Sequence, residues 1–227
     1  MIITVGGIKG GAGKTTIATN FAIMRALEGR DVLLIDADDQ ETSTDFSNLR
    51  SQKRGGDACY TYNQLGGEAV RSQGLRMKEK YQDIVIDAGG RDTTSQRAAL
   101  TISDILLLPF PPSSFDVWTI EKAEALVEEV RIINPNLQAY VFLNKAEASG
   151  DENAEASDYL RESEILTFID TPIGNRKVFR KAASEGMAVV EYKPKNKDAI
   201  SELETLFQRC YNVIITLKNR SPEAIGA

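Results

Sequence analysis

The stretch Lys9-Gly10-Gly11-Ala12-Gly13-Lys14-Thr15-Thr16 has residue types suited to one task, holding phosphate. Glycines let successive backbone N–H groups converge on a single anion, which a Cβ would obstruct. Lys14 supplies a mobile charge for outer phosphates, and the Thr15 hydroxyl can ligate Mg²⁺. Two carboxylate clusters follow. Asp36 and Asp38 stand two apart in Asp36-Ala37-Asp38-Asp39-Gln40, so extended backbone points both to one side. Asp87 closes the apolar run Asp83-Ile84-Val85-Ile86-Asp87. A carboxylate there can hold Mg²⁺ through its waters, opposite Thr15. The chain has no histidine, which removes histidine general bases and histidine metal sites.

These groups act together only if strand ends bring them together. Ile2-Ile3-Thr4-Val5 reads as a buried strand before the glycine loop, and Ile17 to Met24 as a helix after it. That helix N-terminus would add unpaired N–H groups and positive dipole. Further strands are expected at 31–35, 83–87, 104–109 and 138–143, with a short sixth from Glu164 to Asp170. Helices are expected around 94–102 and over 116–133, 151–163, 174–186 and 197–217. The stretch 42–80 is polar, with Gly55-Gly56 and Gly66-Gly67 marking turns between short helices. Apolar strands alternating with helices predict an α/β fold: a single P-loop domain, its mostly parallel twisted sheet covered by helices on both faces. The domain should span 1–218, with a flexible tail over 219–227. In such a sheet ligands sit at the carboxyl ends of the strands, where all three clusters fall.

The 227 residues allow one such domain with a sizeable core. No apolar run is long enough to span a membrane, and Met1 leads straight into the first strand, so no signal peptide is expected. Cys59 and Cys210 are two thiols far apart, expected reduced rather than paired or ligating a cluster. The net charge of −6 is uneven: residues 174–227 carry ten Lys/Arg against six Asp/Glu, a local +4, which leaves −10 for 1–173. A basic C-terminal quarter on an acidic chain fits either an anionic partner or ordinary solvated helix faces.

The glycine loop departs from the common pattern. Ile8 stands five residues before Gly13, where a glycine is usual, and a second lysine, Lys9, precedes the paired glycines. The run resembles the deviant Walker A motif, KGGxGK[ST], of the ParA/MinD family of dimeric ATPases. That resemblance implies that Lys9 reaches across a dimer interface to the other subunit's nucleotide. DADDQ resembles the family's DxDxQ switch I segment, which places Asp36 in the magnesium shell and gives Asp38 the orienting of the attacking water. Asp39 stands where the family usually has proline. Gly89-Gly90 occupies the switch II position where prolines are common, and Gly90 is expected to leave that loop more mobile without nucleotide. Asn144-Lys145 resembles the base-contacting segment, with Asn144 offering amide donor and acceptor to adenine. Thr171-Pro172-Ile173 and Arg176 through Gly186 resemble the late T-x-I-x-x-R segment and the helix after it.

The resemblance covers nearly the whole chain, and is to the short ParA-type members without an N-terminal DNA-reading domain. It implies a cytoplasmic, nucleoid-associated ATPase that dimerises on Mg-ATP and hydrolyses ATP slowly to ADP and phosphate. Lys9, Lys14 and Asp38 would be catalytic. Lys9 to Thr16 and Asn144 would bind nucleotide, with Thr15, Asp36 and Asp87 around the metal. Partners would be a second copy, non-specific DNA, and an adaptor or centromere-binding protein that stimulates hydrolysis. Candidate DNA contacts are Arg176, Lys177, Arg180 and Lys181, two adjacent pairs four apart on one helix side, with Lys193, Lys195 and Lys197 alternating nearby. The cargo stays open between plasmid, chromosome, protein organelle and chemoreceptor cluster. Two other classes remain: a MinD-like membrane-associated switch, and an ATP-dependent metabolic enzyme. For the first, Leu203, Leu206, Phe207, Cys210, Ile214 and Leu217 share one helical stripe, which core packing explains better.

Overall fold

The computed structural model describes residues 1–90, 92–112 and 117–218, without the side chains of 117 and 213–218. The tail 219–227 lies outside the described residues. In chain order the elements are β1 (Ile2–Val5), α1 (Lys14–Leu27), β2 (Val32–Ala37), α2 (Thr42–Lys53), β3 (Thr61–Gln64), α3 (Ala69–Met77), β4 (Asp83–Ala88) and α4 (Thr94–Leu100). They continue as β5 (Ile105–Phe110), α5 (Val117–Arg131), β6 (Gln138–Ala146), α6 (Glu152–Arg161), β7 (Thr167–Phe168), β8 (Ile173–Gly174), α7 (Lys177–Ala183) and α8 (Lys197–Lys218).

The strands run β3-β2-β4-β1-β5-β6-β7, with β8 added on β6, and every pairing among the described residues is parallel. β1, β2, β4 and β5 are buried at every residue, as a strand with helices on both faces must be. α1 and α8 close one face: Phe21 and Phe207 meet edge to face at 5.3 Å among Ile17, Val85, Leu203 and Leu206. α3, α4, α5 and α6 close the other.

The expected parallel α/β architecture is the one observed. Two strands go beyond the sequence reading. β3, Thr-Tyr-Asn-Gln, lies beside β2 at the sheet edge and is partly exposed, so it carries no apolar run. β8 is two residues long and joins β6 across a register shift. The sixth expected strand shrinks to Thr167–Phe168. On α8, Leu203, Leu206, Phe207 and Cys210 are buried in the core, which takes them from any membrane surface. The side chains of Ile214 and Leu217 lie outside the described residues. No described helix is long and apolar enough to cross a membrane.

A buried arginine fixes α2 against the loop before α8. Arg50 is 1% exposed and donates to Glu191 at 2.7 and 2.9 Å, to Gly186 O at 2.8 Å and to Ala58 O at 2.8 Å. Every donor in that cluster meets an acceptor, the condition under which a buried charge is tolerated. Gly186, read from sequence as a helix end, has a second reason to be glycine. Its φ is +64°, and a Cβ there would lie 2.8 Å from Arg50 Cα.

Candidate nucleotide site

β1, β2, β4 and β6 all end at one cavity of about 950 Å³. The glycine loop forms its floor: Gly10, Gly11, Gly13, Lys14, Thr15 and Thr16 line it. The loop turns into α1 through Gly13, whose φ of +92° is a left-handed conformation open to glycine. A Cβ at Gly13 would also sit 2.3 Å from Asn144 Nδ2. That close approach has a function: Asn144 Nδ2 donates to Ala12 O at 2.6 Å, and Lys145 Nζ to Gly11 O at 2.6 Å. The end of β6 therefore clamps two carbonyls of the loop, which turns those carbonyls away and leaves the loop N–H groups for an anion. Sequence reasoning named Asn144-Lys145 only for base contact. The structure commits one Asn144 amide proton to the loop and finds a second clamp in Lys145, held at a φ of +58°.

Lys14 is 6% exposed, and its ammonium donates back to Lys9 O at 3.3 Å. Burial lowers its pKa, while the negative charges of Asp87 and Asp38 oppose that shift. Lys9 is exposed, and its side chain is not among the residues lining this cavity. The two lysines of the motif thus occupy different places.

The carboxylates gather at the adjoining wall. Asp36 and Asp87 are directly paired in register across β2 and β4, both buried. Asp36 accepts from Thr44 N at 2.8 Å and Asp38 N at 3.2 Å. Asp87 is fully buried, and neither of its oxygens has a hydrogen-bond partner. Burial pushes its pKa up to about 7 and Asp36 adds to the rise; Thr15, Lys14 and Ser43 oppose it. The Thr15 and Ser43 hydroxyls are near enough to favour the ionised form without completing a hydrogen bond. Asp38 is half-buried on the cavity wall, accepting from Gln40 N at 3.1 Å, and Asp39 is exposed on the rim.

These groups fit a hydrated magnesium ion. A buried carboxylate with two unpartnered oxygens is costly unless a cation or its waters complete it. No three acidic or thiol groups among the described residues converge to cage an ion directly. Mg²⁺ needs no such cage, since it keeps several waters and takes one or two carboxylates plus substrate phosphates. Thr15 and Asp87 would hold it, with Asp36 alongside, and its charge would screen the transferring phosphates.

The mobile switch II glycine expected from sequence is a packed one. A Cβ at Gly90 would lie 2.8 Å from Gly10 Cα, Lys9 O and Lys14 Nζ alike. Gly90 is glycine because this loop rests on the phosphate loop. α4 adds a tie, as Gln96 Oε1 accepts from Gly7 N at 3.0 Å. Ser43 and Gln96 were not singled out from sequence. For Ser43, the hydroxyl run Thr42-Ser43-Thr44 directly after the DADDQ segment was the available signal.

The basic residues divide. Arg176 is held by Glu202 and Asp198 of α8 at 2.5 and 3.4 Å, so it is not free to grip a phosphate backbone. Arg176 and Arg180, with Phe179, line the far end of the cavity, on the same side of α7. Lys177, Lys181, Lys193, Lys195 and Lys197 are exposed outside the cavity, Lys195 donating to Val190 O. The seven candidates therefore do not form a single free surface.

A glycine loop between β1 and α1, with acidic strand ends beside it, defines a nucleotide-binding P-loop protein. Residues 3–190 match the CobQ/CobB/MinD/ParA nucleotide binding domain, and the chain belongs to that family. It is 27% identical over 206 residues to maintenance of carboxysome distribution protein A of Halothiobacillus neapolitanus, covering 90% of this chain and 93% of that one. The namesake protein of Gloeobacter kilaueensis is 32% identical, with 83% of each chain covered. An ATP complex of Cyanothece McdA superposes with a TM-score of 0.75 at 17% identity, covering 93% of this chain and 96% of that one. This likeness shows a shared fold. Both of these sequence relatives are named for carboxysome distribution.

Proposed function

We propose that this protein is a Mg-ATP-driven dimerising ATPase that positions a protein-bodied cargo in the cell. The observation that carries it is the separation of the two motif lysines. Lys14 is buried in the cavity beside Asp87 and Asp38, whereas Lys9 is exposed and off the cavity wall. A lysine so placed is available to a second subunit's phosphates rather than its own. Across a two-fold interface it meets those of a second copy. Lys14 and the loop N–H groups hold the outer phosphates, and Asp38 orients the attacking water from the half-buried wall. Asn144, Arg176, Phe179 and Arg180 frame the end where the base would lie. The names of the carboxysome relatives support a protein organelle as cargo; an adaptor would stimulate hydrolysis.

Lys9→Ala tests this directly. The variant should bind ATP within about twofold of wild type, since Lys9 leaves its own cavity untouched. It should stay monomeric with a non-hydrolysable analogue at concentrations where wild type dimerises. A variant that loses nucleotide and dimer together, as a weak Lys14 lesion would, returns Lys9 to its own subunit's phosphates.

Non-specific DNA would be the track. The exposed cations Lys177, Lys181, Lys193, Lys195 and Lys197 suit phosphate contacts. Reversing Lys177 and Lys181 to glutamate should weaken ATP-dependent DNA retention uniformly across sequences and lower the salt slope by about two. ATP affinity should not change, because neither residue lines the cavity. DNA retention absent from wild type with ATP at low salt would instead make this face a dock for an acidic protein.

A further inference from the structure

Two buried hydroxyls sit one turn apart on α2, and only one is satisfied. Ser47 Oγ bonds Ser43 O at 2.7 Å and Tyr60 Oη at 2.9 Å. Ser43 is equally buried at 0% exposure, yet its Oγ has no partner. Native interiors seldom leave a hydroxyl so, and such a group calls for a missing partner. The neighbour it meets is the equally unpartnered Asp87, whose register partner Asp36 accepts the N–H of Thr44, the residue after Ser43. The two come from different elements. The next residue, Thr44, donates its N–H to Asp36 at 2.8 Å and ties the first turn of α2 to the end of β2.

We propose that Ser43 is a positioning residue for magnesium: its hydroxyl donates to the Asp87 carboxylate and turns that carboxylate toward the waters of the ion. Ser43 acts through Asp87, not on the ion itself. This role rests on the Mg-nucleotide reading of the site.

The test separates metal from nucleotide. Binding of a fluorescent ATP analogue is measured in EDTA, then during titration with MgCl₂, for wild type, Ser43→Ala and Ser47→Ala. Affinity in EDTA should be the same for wild type and Ser43→Ala, since Ser43 does not line the phosphate cradle. The magnesium midpoint should rise about tenfold in Ser43→Ala, the scale of a lost outer-shell partner. Ser47→Ala removes a satisfied hydroxyl from the same helix, and its midpoint should match wild type. Thermal unfolding checks that each variant folds; if Ser43→Ala does not, the near-isosteric Ser43→Cys carries the same comparison. A Ser43 midpoint equal to wild type overturns the assignment. Wild type that binds nucleotide with no magnesium dependence overturns the magnesium site itself, and this role with it.

Discussion

Lys14→Ala will lower ATP affinity by about a hundredfold or more. Lys14 is a buried cation lining the cavity, and its ammonium, which donates to Lys9 O, would serve the outer phosphates. Truncating one partner of a buried charge-assisted contact costs roughly 3 kcal/mol, which is about two decades in Kd. A second effect acts in the same direction. Lys14 is one of the groups that favours the ionised form of Asp87, so its loss leaves that carboxylate more readily protonated and a poorer magnesium partner. Isothermal titration with Mg-ATP reads the combined loss. Affinity within about threefold of wild type would remove Lys14 from the phosphates.

The second large effect belongs to turnover. Asp38→Ala should leave Mg-ATP affinity and dimerisation near wild type while kcat falls at least about a hundredfold. Asp38 is half-buried on the cavity wall, and among the described residues its carboxylate accepts from its own turn, Gln40 N. Asp36, by contrast, is fully engaged by Thr44 N and Asp38 N and paired in register with Asp87. The free carboxylate is the one placed to orient water, and the engaged one suits the metal shell. Single-turnover kinetics with pre-bound ATP separates the two roles. If Asp38→Ala instead fails to bind Mg-ATP and Asp36→Ala spares it, the two assignments exchange.

The site was legible because its parts fall on strand ends that announce themselves. β1, β2 and β4 are buried throughout; Asp36 and Asp87 stand one residue from the ends of β2 and β4, and β1 runs straight into glycine. Register then adds what sequence does not carry. Asp36 and Asp87 lie side by side only because β2 pairs β4 at that offset. The strand β3 escaped because an edge strand with polar, partly exposed residues has no hydrophobic period to read. Gly90 was readable as glycine but not as packed: its freedom was visible, while the phosphate loop 2.8 Å from its absent Cβ was not. Arg50 gave no sign at all, since nothing local distinguishes a buried arginine whose carboxylate lies at Glu191. Spacing put Arg176 and Lys177 in one stripe, but Glu202 and Asp198 of α8 claim the first of them.

The nucleotide-controlled dimer is measured most directly by sedimentation velocity of the unmodified protein at micromolar concentration, with magnesium and either ADP or a non-hydrolysable ATP analogue. The account predicts a species of twice the 24.9 kDa chain mass with the ATP analogue and a monomer with ADP. One mass in both nucleotide states, whether monomer or dimer, would contradict it.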